Sequence, residues 1–147
     1  MDGAVTTRHC FTYGSLMWAD IMARVCGREF AGEPATLAGY RRHPVRGQDY
    51  PGLQASPDGV VPGRLYRDVD AIAWARLDAF EGSEYERADI VVTLADGCTV
   101  SAQVYRFSAE CLDRLLPGDW DPAAFEREGH ARFIARYVGF ELLAPRQ

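Results

Sequence analysis

Two runs rich in apolar residues, 88–95 and 99–107, are joined through Asp96-Gly97, and no other feature of the chain limits its fold so tightly. An Asp-Gly pair supplies the positive-φ positions of a tight turn, so the two runs read as an antiparallel hairpin. The same texture lies upstream, in runs 36–40, 50–53 and 60–66. Gly and Pro punctuate them at roughly the spacing of hairpin-connected strands. Residues 9–13 read as a further short buried strand, stopped by Gly14. A largely antiparallel sheet is the expected centre of the molecule.

Three helices are predicted around it. The first covers 18–26, with Trp18, Ile21, Met22 and Val25 as its apolar positions and Gly27 as its stop. The second starts at an Asp70 cap, carries Ile72, Ala73, Leu77 and Phe80 on one face, and ends at Gly82. The third has Asp121 as cap and Pro122 at its first position. Its apolar face returns at Phe133, Ile134, Tyr137 and Val138, and Gly129 weakens its middle. The expectation is one α+β domain over 1–147, with its motifs in 9–107 and a helical part in 108–147.

Charge and cysteine usage narrow the partners. A net charge of -5 argues against nucleic acid or an anionic membrane as partner, because both need a basic face. No run approaches the length of a membrane span, and Met1 to Thr7 carry no signal pattern, so a cytoplasmic protein is expected. Cys10, Cys26, Cys98 and Cys111 have no metal-ligand spacing, and buried or half-buried free thiols are expected. The pattern is not that of a zinc site. Oligomeric state is not readable from the sequence.

His9, His43 and His130 are isolated and read as packed or capped imidazoles. Among the carboxylates, Glu81 stands apart, in "LDAFEGSEYER". It falls on the last turn of the second helix, where the negative end of the helix dipole disfavours ionisation. Phe80 and Tyr85 beside it would add burial, which raises a carboxyl pKa further. Such a group can take a proton and return it, although many surface helices also end in Glu-Gly. The corner "YGSLM" at Tyr13–Met17 is the second candidate. Backbone N–H groups that follow a strand and precede a helix form a cradle for an anion.

"YGSLM", "YPGL", "VVPGRLY", "LDAFEG" with "YER", and "VYRF", in that order, resemble the γ-glutamylcyclotransferase-like family over most of residues 10–107. The resemblance implies a compact, barrel-like, mostly antiparallel sheet with flanking helices and a pocket at one mouth. It implies a cofactor-independent reaction on a small γ-glutamyl compound, whose α-amine attacks its own γ-carbonyl. The products are 5-oxoproline and an amine or amino acid. The family's substrate-holding loop falls on Tyr13, Gly14, Ser15, Leu16 and Met17, and its catalytic acid/base falls on Glu81. Tyr85 and Tyr105 are candidate donors to the developing oxyanion. Several family members carry Asn after the Ser, where this chain has Leu16-Met17. A carboxylate-binding domain that keeps the pocket without turnover is the alternative reading.

Overall fold

Strand pleating divides the core of the molecule in two. In β1 (Arg8–Thr12), Cys10 faces one apolar cluster while Phe11 and, just past the strand, Tyr13 face the other. The same alternation separates Tyr66 from Leu65 and Tyr105 from Val104. One set fills the inside of a barrel and the other lies beneath helices. The computed structural model describes residues 7–135.

The other strands are β2 (Gly32–Pro44), β3 (Pro51–Val69), β4 (Tyr85–Leu94) and β5 (Thr99–Phe107). They close in the order β1-β3-β2-β4-β5. All neighbours are antiparallel except β1 and β5, which run parallel and meet at Cys10 and Gln103. The expected barrel-like α+β architecture is present. Leu37, Leu53, Val61, Leu65, Val92 and Val104 fill its interior.

Helices α1 (Ala19–Cys26) and α2 (Ala71–Glu81) cover one side. Their buried face joins Ile21, Met22 and Val25 to Ala73, Trp74 and Leu77. Burying a side chain of the size of Leu77 contributes about 1.5–3 kcal/mol. Asp70 caps α2 as the sequence predicts, its Oδ1 accepting from the Ala73 amide at 2.9 Å. Gly82 stops the helix at φ 73, a conformation that other residues rarely adopt. Ile72, expected on the buried face, is 75% exposed. The buried face is centred on Trp74 and Leu77, and Ile72 stands about 200° from the first and about 140° from the second around the helix, on the outer side.

Several expected boundaries are corrected. Runs 50–53 and 60–66 belong to one 19-residue strand, β3, which starts after Tyr50. Gly59 makes no turn there: a Cβ on it would sit 2.1 Å from the Tyr40 carbonyl oxygen, beside the register shift between Ala38 and Tyr40. Glycine lets two backbones approach where the barrel bends. Strand β4 begins at Tyr85, ahead of the expected position 88. Cys10 and Cys26 are buried as expected, but Cys98 is exposed in the hairpin turn.

The C-terminal part opens with a 3-10 helix, Ala109–Arg114, and then runs beside β2, with Val45 bridging Leu115. Asp121 and Pro122 start a helix as expected, but α3 (Pro122–Ala124) gives way to a π-turn at Phe125–Gly129. Helical structure resumes over 130–135. Tyr137 and Val138 lie outside the described residues. No helix among the described residues is long and apolar enough to cross a membrane.

Candidate functional site

Strand β1 delivers Tyr13, and the chain then tightens into a 3-10 turn at Ser15–Met17. The turn's own bonds use the amides of Met17, to the Gly14 carbonyl at 2.9 Å, and Trp18, to the Ser15 carbonyl at 3.3 Å. The amides of Ser15 and Leu16, ahead of them, are not consumed by those bonds. Tyr66 supports the turn from below, its hydroxyl donating to the Leu16 carbonyl at 2.7 Å.

This turn forms one wall of a cleft of about 350 Å³, its open mouth included. Tyr13, Gly14, Ser15 and Leu16 line it together with Glu81, Tyr85 and Tyr105. Two segments that lie 66 positions apart at Ser15 and Glu81 (81 − 15) are thereby brought to one cavity. Met17 does not line the cleft; it packs against the cluster beneath the helices. The turn presents only its leading residues to the open space.

Glu81 ends α2 and is half-buried, and among the described residues its carboxyl has no hydrogen-bond or ion-pair partner. Burial, followed by the nearby Asp78 and Glu84 carboxylates, pushes its pKa up to about 8. The upward shift expected from its place in the sequence is present, with burial as the first cause.

The tyrosine hydroxyls are committed elsewhere. Tyr85 donates to the Pro51 carbonyl at 2.7 Å, and Tyr105 donates to Asp78 Oδ1 at 2.6 Å. Tyr13 donates to the Tyr105 carbonyl. Burial holds the Tyr13 and Tyr85 hydroxyls well above the ordinary tyrosine range, so both stay protonated. Tyr85 and Tyr105 thus stand on the cleft wall as expected, but neither offers a free proton to an oxyanion. Each already holds an acceptor of its own, and a hydroxyl has one proton to give.

Tyr50 and Pro51 complete the wall. The run "YPGL" lies between the two site motifs, yet its partners are far off in sequence. Tyr50 donates to Glu84 Oε1 at 3.0 Å, and Arg114 reaches Glu84 Oε2 at 2.7 Å. Gly52 is needed because a Cβ there would meet Leu115 at 2.6 Å and Phe107 at 2.9 Å. A Tyr-Pro-Gly run signals close packing, but it names no partner. The three histidines lie outside the cleft, bonded to the Asp68 amide (His9), the Gly118 carbonyl (His43) and Asp20 (His130).

A closed five-strand barrel, flanked by helices and opening beside a strand-end turn and a helix-end glutamate, defines a fold of the γ-glutamylcyclotransferase type. The family model described as gamma-glutamyl cyclotransferase, AIG2-like, matches residues 10–122, and the chain belongs to that family. AIG2-like protein D of Arabidopsis thaliana is 32% identical over 122 residues, covering 82% of this chain and 80% of the relative. A solution structure of another Arabidopsis thaliana protein superposes with a TM-score of 0.69 at 26% identity, covering 99% of this chain and 98% of its own. A gamma-glutamyl cyclotransferase structure superposes with a TM-score of 0.63 over 70% of this chain and 68% of its own. At 16% identity that likeness shows the fold.

Proposed function

We propose that the cleft cyclises the γ-glutamyl group of a small substrate, releasing 5-oxoproline and an amine or amino acid. The Ser15 and Leu16 amides hold the substrate's α-carboxylate, which turns the α-amine toward the γ-carbonyl. Binding in this way sets the geometry of ring closure. The observation that supports the reading is the Glu81 carboxyl, unpaired and poised near neutrality, on the same cleft as the turn.

Glu81 takes a proton from the α-ammonium, and the freed amine forms the ring C–N bond. The γ-amide C–N bond then breaks. The two protons lost by the attacking nitrogen end on the departing amine, relayed by Glu81 as base and then acid. Tyr85 and Tyr105 shape the wall in this scheme and move no proton. The product is small and stable, and the chemistry consumes no co-reactant. The protein acts in the cytoplasm on a small-molecule partner.

The test is 5-oxoproline formation over a panel of γ-glutamyl amines and dipeptides, comparing wild type with Glu81→Gln. Turnover by wild type and a loss of about 10²–10⁴-fold in the variant is the expected result. A Gln variant at full rate overturns the role of Glu81. Ligand binding without product across the panel supports a carboxylate-binding domain instead.

A further inference from the structure

Arg42 is a charged residue in the interior, with 3% of its side chain exposed. It stands on β2 opposite Leu53 of β3. Its Nε and Nη2 hold the two carboxylate oxygens of Asp119 at 2.9 and 3.1 Å, and its guanidinium lies 5.4 Å from the Trp120 ring centre. Trp120 in turn donates to the Asp49 carbonyl at 2.9 Å. These contacts are enough to fasten the C-terminal segment to β2. One nitrogen of the guanidinium is left over. Nη1 turns away from that segment and reaches the Tyr13 carbonyl at 2.9 Å.

That carbonyl belongs to the peptide unit joining Tyr13 to Gly14. A trans peptide is planar, with its C=O and N–H on opposite sides. Drawing the carbonyl toward Arg42 therefore aims the Gly14 N–H away from Arg42. Gly14 lines the cleft and Arg42 does not. A cation on the carbonyl also polarises the peptide and strengthens the N–H at its other edge as a donor. We infer that Arg42 is a positioning residue. It sets the Tyr13–Gly14 peptide plane so that the Gly14 N–H joins the Ser15 and Leu16 amides in receiving the substrate's carboxylate. Asp119 and Trp120 hold Arg42 in register, which gives the C-terminal segment a part in the site.

A fork-shaped guanidinium is required for this arrangement. Lysine keeps the charge but cannot hold both Asp119 oxygens and the Tyr13 carbonyl in one geometry. The inference rests on the cleft being the γ-glutamyl site, and the test separates the two. The experiment compares wild type, Arg42→Lys and Asp119→Asn in kcat, in KM, and in the amide ¹H–¹⁵N resonance of Gly14. Asp119 is 65% exposed and Asn still accepts from Arg42 through its amide oxygen, so this variant disturbs the fold less than Arg42→Lys.

The expected result for Arg42→Lys is a KM about tenfold higher, with kcat within about twofold and the Gly14 resonance displaced. Asp119→Asn moves all three readings the same way by a smaller amount, about threefold in KM. An unmoved Gly14 resonance overturns the inference, and so does a displaced resonance with unchanged KM. If Arg42→Lys does not fold, Asp119→Asn decides alone by the same criteria. If wild type turns over no γ-glutamyl compound, the proposed reaction falls. The Gly14 resonance, read with titration by 5-oxoproline, still judges Arg42: weaker binding with a displaced resonance supports it, and unchanged binding overturns it.

Discussion

The Pro51 ring occupies the place where a side chain on Gly14 would have to go. A Cβ on Gly14 would lie 2.6 Å from Pro51 Cδ and 2.8 Å from Cγ. Glycine is needed here for space. This contact joins the turn to the start of β3, 37 positions away (51 − 14), and fixes the distance between two walls of the cleft. Gly14→Ala is expected to destabilise the fold by about 1–3 kcal/mol, as overpacking does. It also displaces the turn, so turnover falls by more than the stability loss explains at temperatures where the variant is folded. Urea denaturation and steady-state kinetics at a low temperature check both parts.

Local signals in the sequence carry the frame of this fold. Asp70, Gly82, Asp96-Gly97 and Asp121-Pro122 each mark a boundary that the structure uses, because a cap or a turn is a matter of a few neighbouring residues. Glu81 and the Tyr13–Leu16 turn were legible in the same way, one from its helix end and the other from its strand end. Long-range contacts were not. Gly59 looks like a turn residue and serves a close approach to Tyr40. Tyr85 and Tyr105 look like free hydroxyls, until Pro51 and Asp78 are seen to hold them. Arg42 is one of many arginines in the sequence, and its partners Tyr13 and Asp119 are 29 and 77 positions away.

Glu81 makes stability and activity move oppositely with pH. Its folded pKa, about 8, lies above the ordinary carboxyl value. Between those two values the folded protein holds the proton that the unfolded chain has released, so stability falls as pH rises through this window. Activity requires the ionised base, so kcat/KM rises over the same window, with an acid limb near 8. Glu81→Gln is expected to abolish that limb and to flatten this share of the stability profile, leaving the variant more stable than wild type above about pH 8. Chemical denaturation from pH 5 to 9 checks the stability half, and a lower stability of the Gln variant throughout would contradict it.

Tyr85→Phe distinguishes a wall from a catalytic donor. The hydroxyl it removes donates to the Pro51 carbonyl, which loses one hydrogen bond and about 1 kcal/mol of stability. The ring remains, with its edge contact to Phe107 at 5.1 Å between centres. The expected activity loss is less than about tenfold, since no donor to the reacting carbonyl is taken away. Removing an oxyanion donor costs about 10²–10³-fold in kcat, so a loss of that size would return Tyr85 to the chemistry. Thermal melting beside the kinetics separates the two effects.

Glu84 supplies the sharpest handle on the base. Its carboxylate is one of the two charges that push Glu81 upward, and it is itself held by Arg114 and Tyr50. Glu84→Gln deletes the negative charge and leaves the Arg114 guanidinium without its counter-charge. Both changes favour the ionised form of Glu81, so its pKa falls. The acid limb of kcat/KM is therefore expected to move below its wild-type position, giving the variant the higher relative activity near pH 6. Tyr50 keeps an acceptor, because the Gln amide oxygen can stand where Oε1 stood, and the cleft wall stays in place. Arg114→Ala is the converse change: it exposes the Glu84 charge and moves the limb upward. Shifts in opposite directions for the two variants, read from pH–rate profiles on one substrate, are the expected outcome. A limb that stays put in both would show that the titrating group is not Glu81.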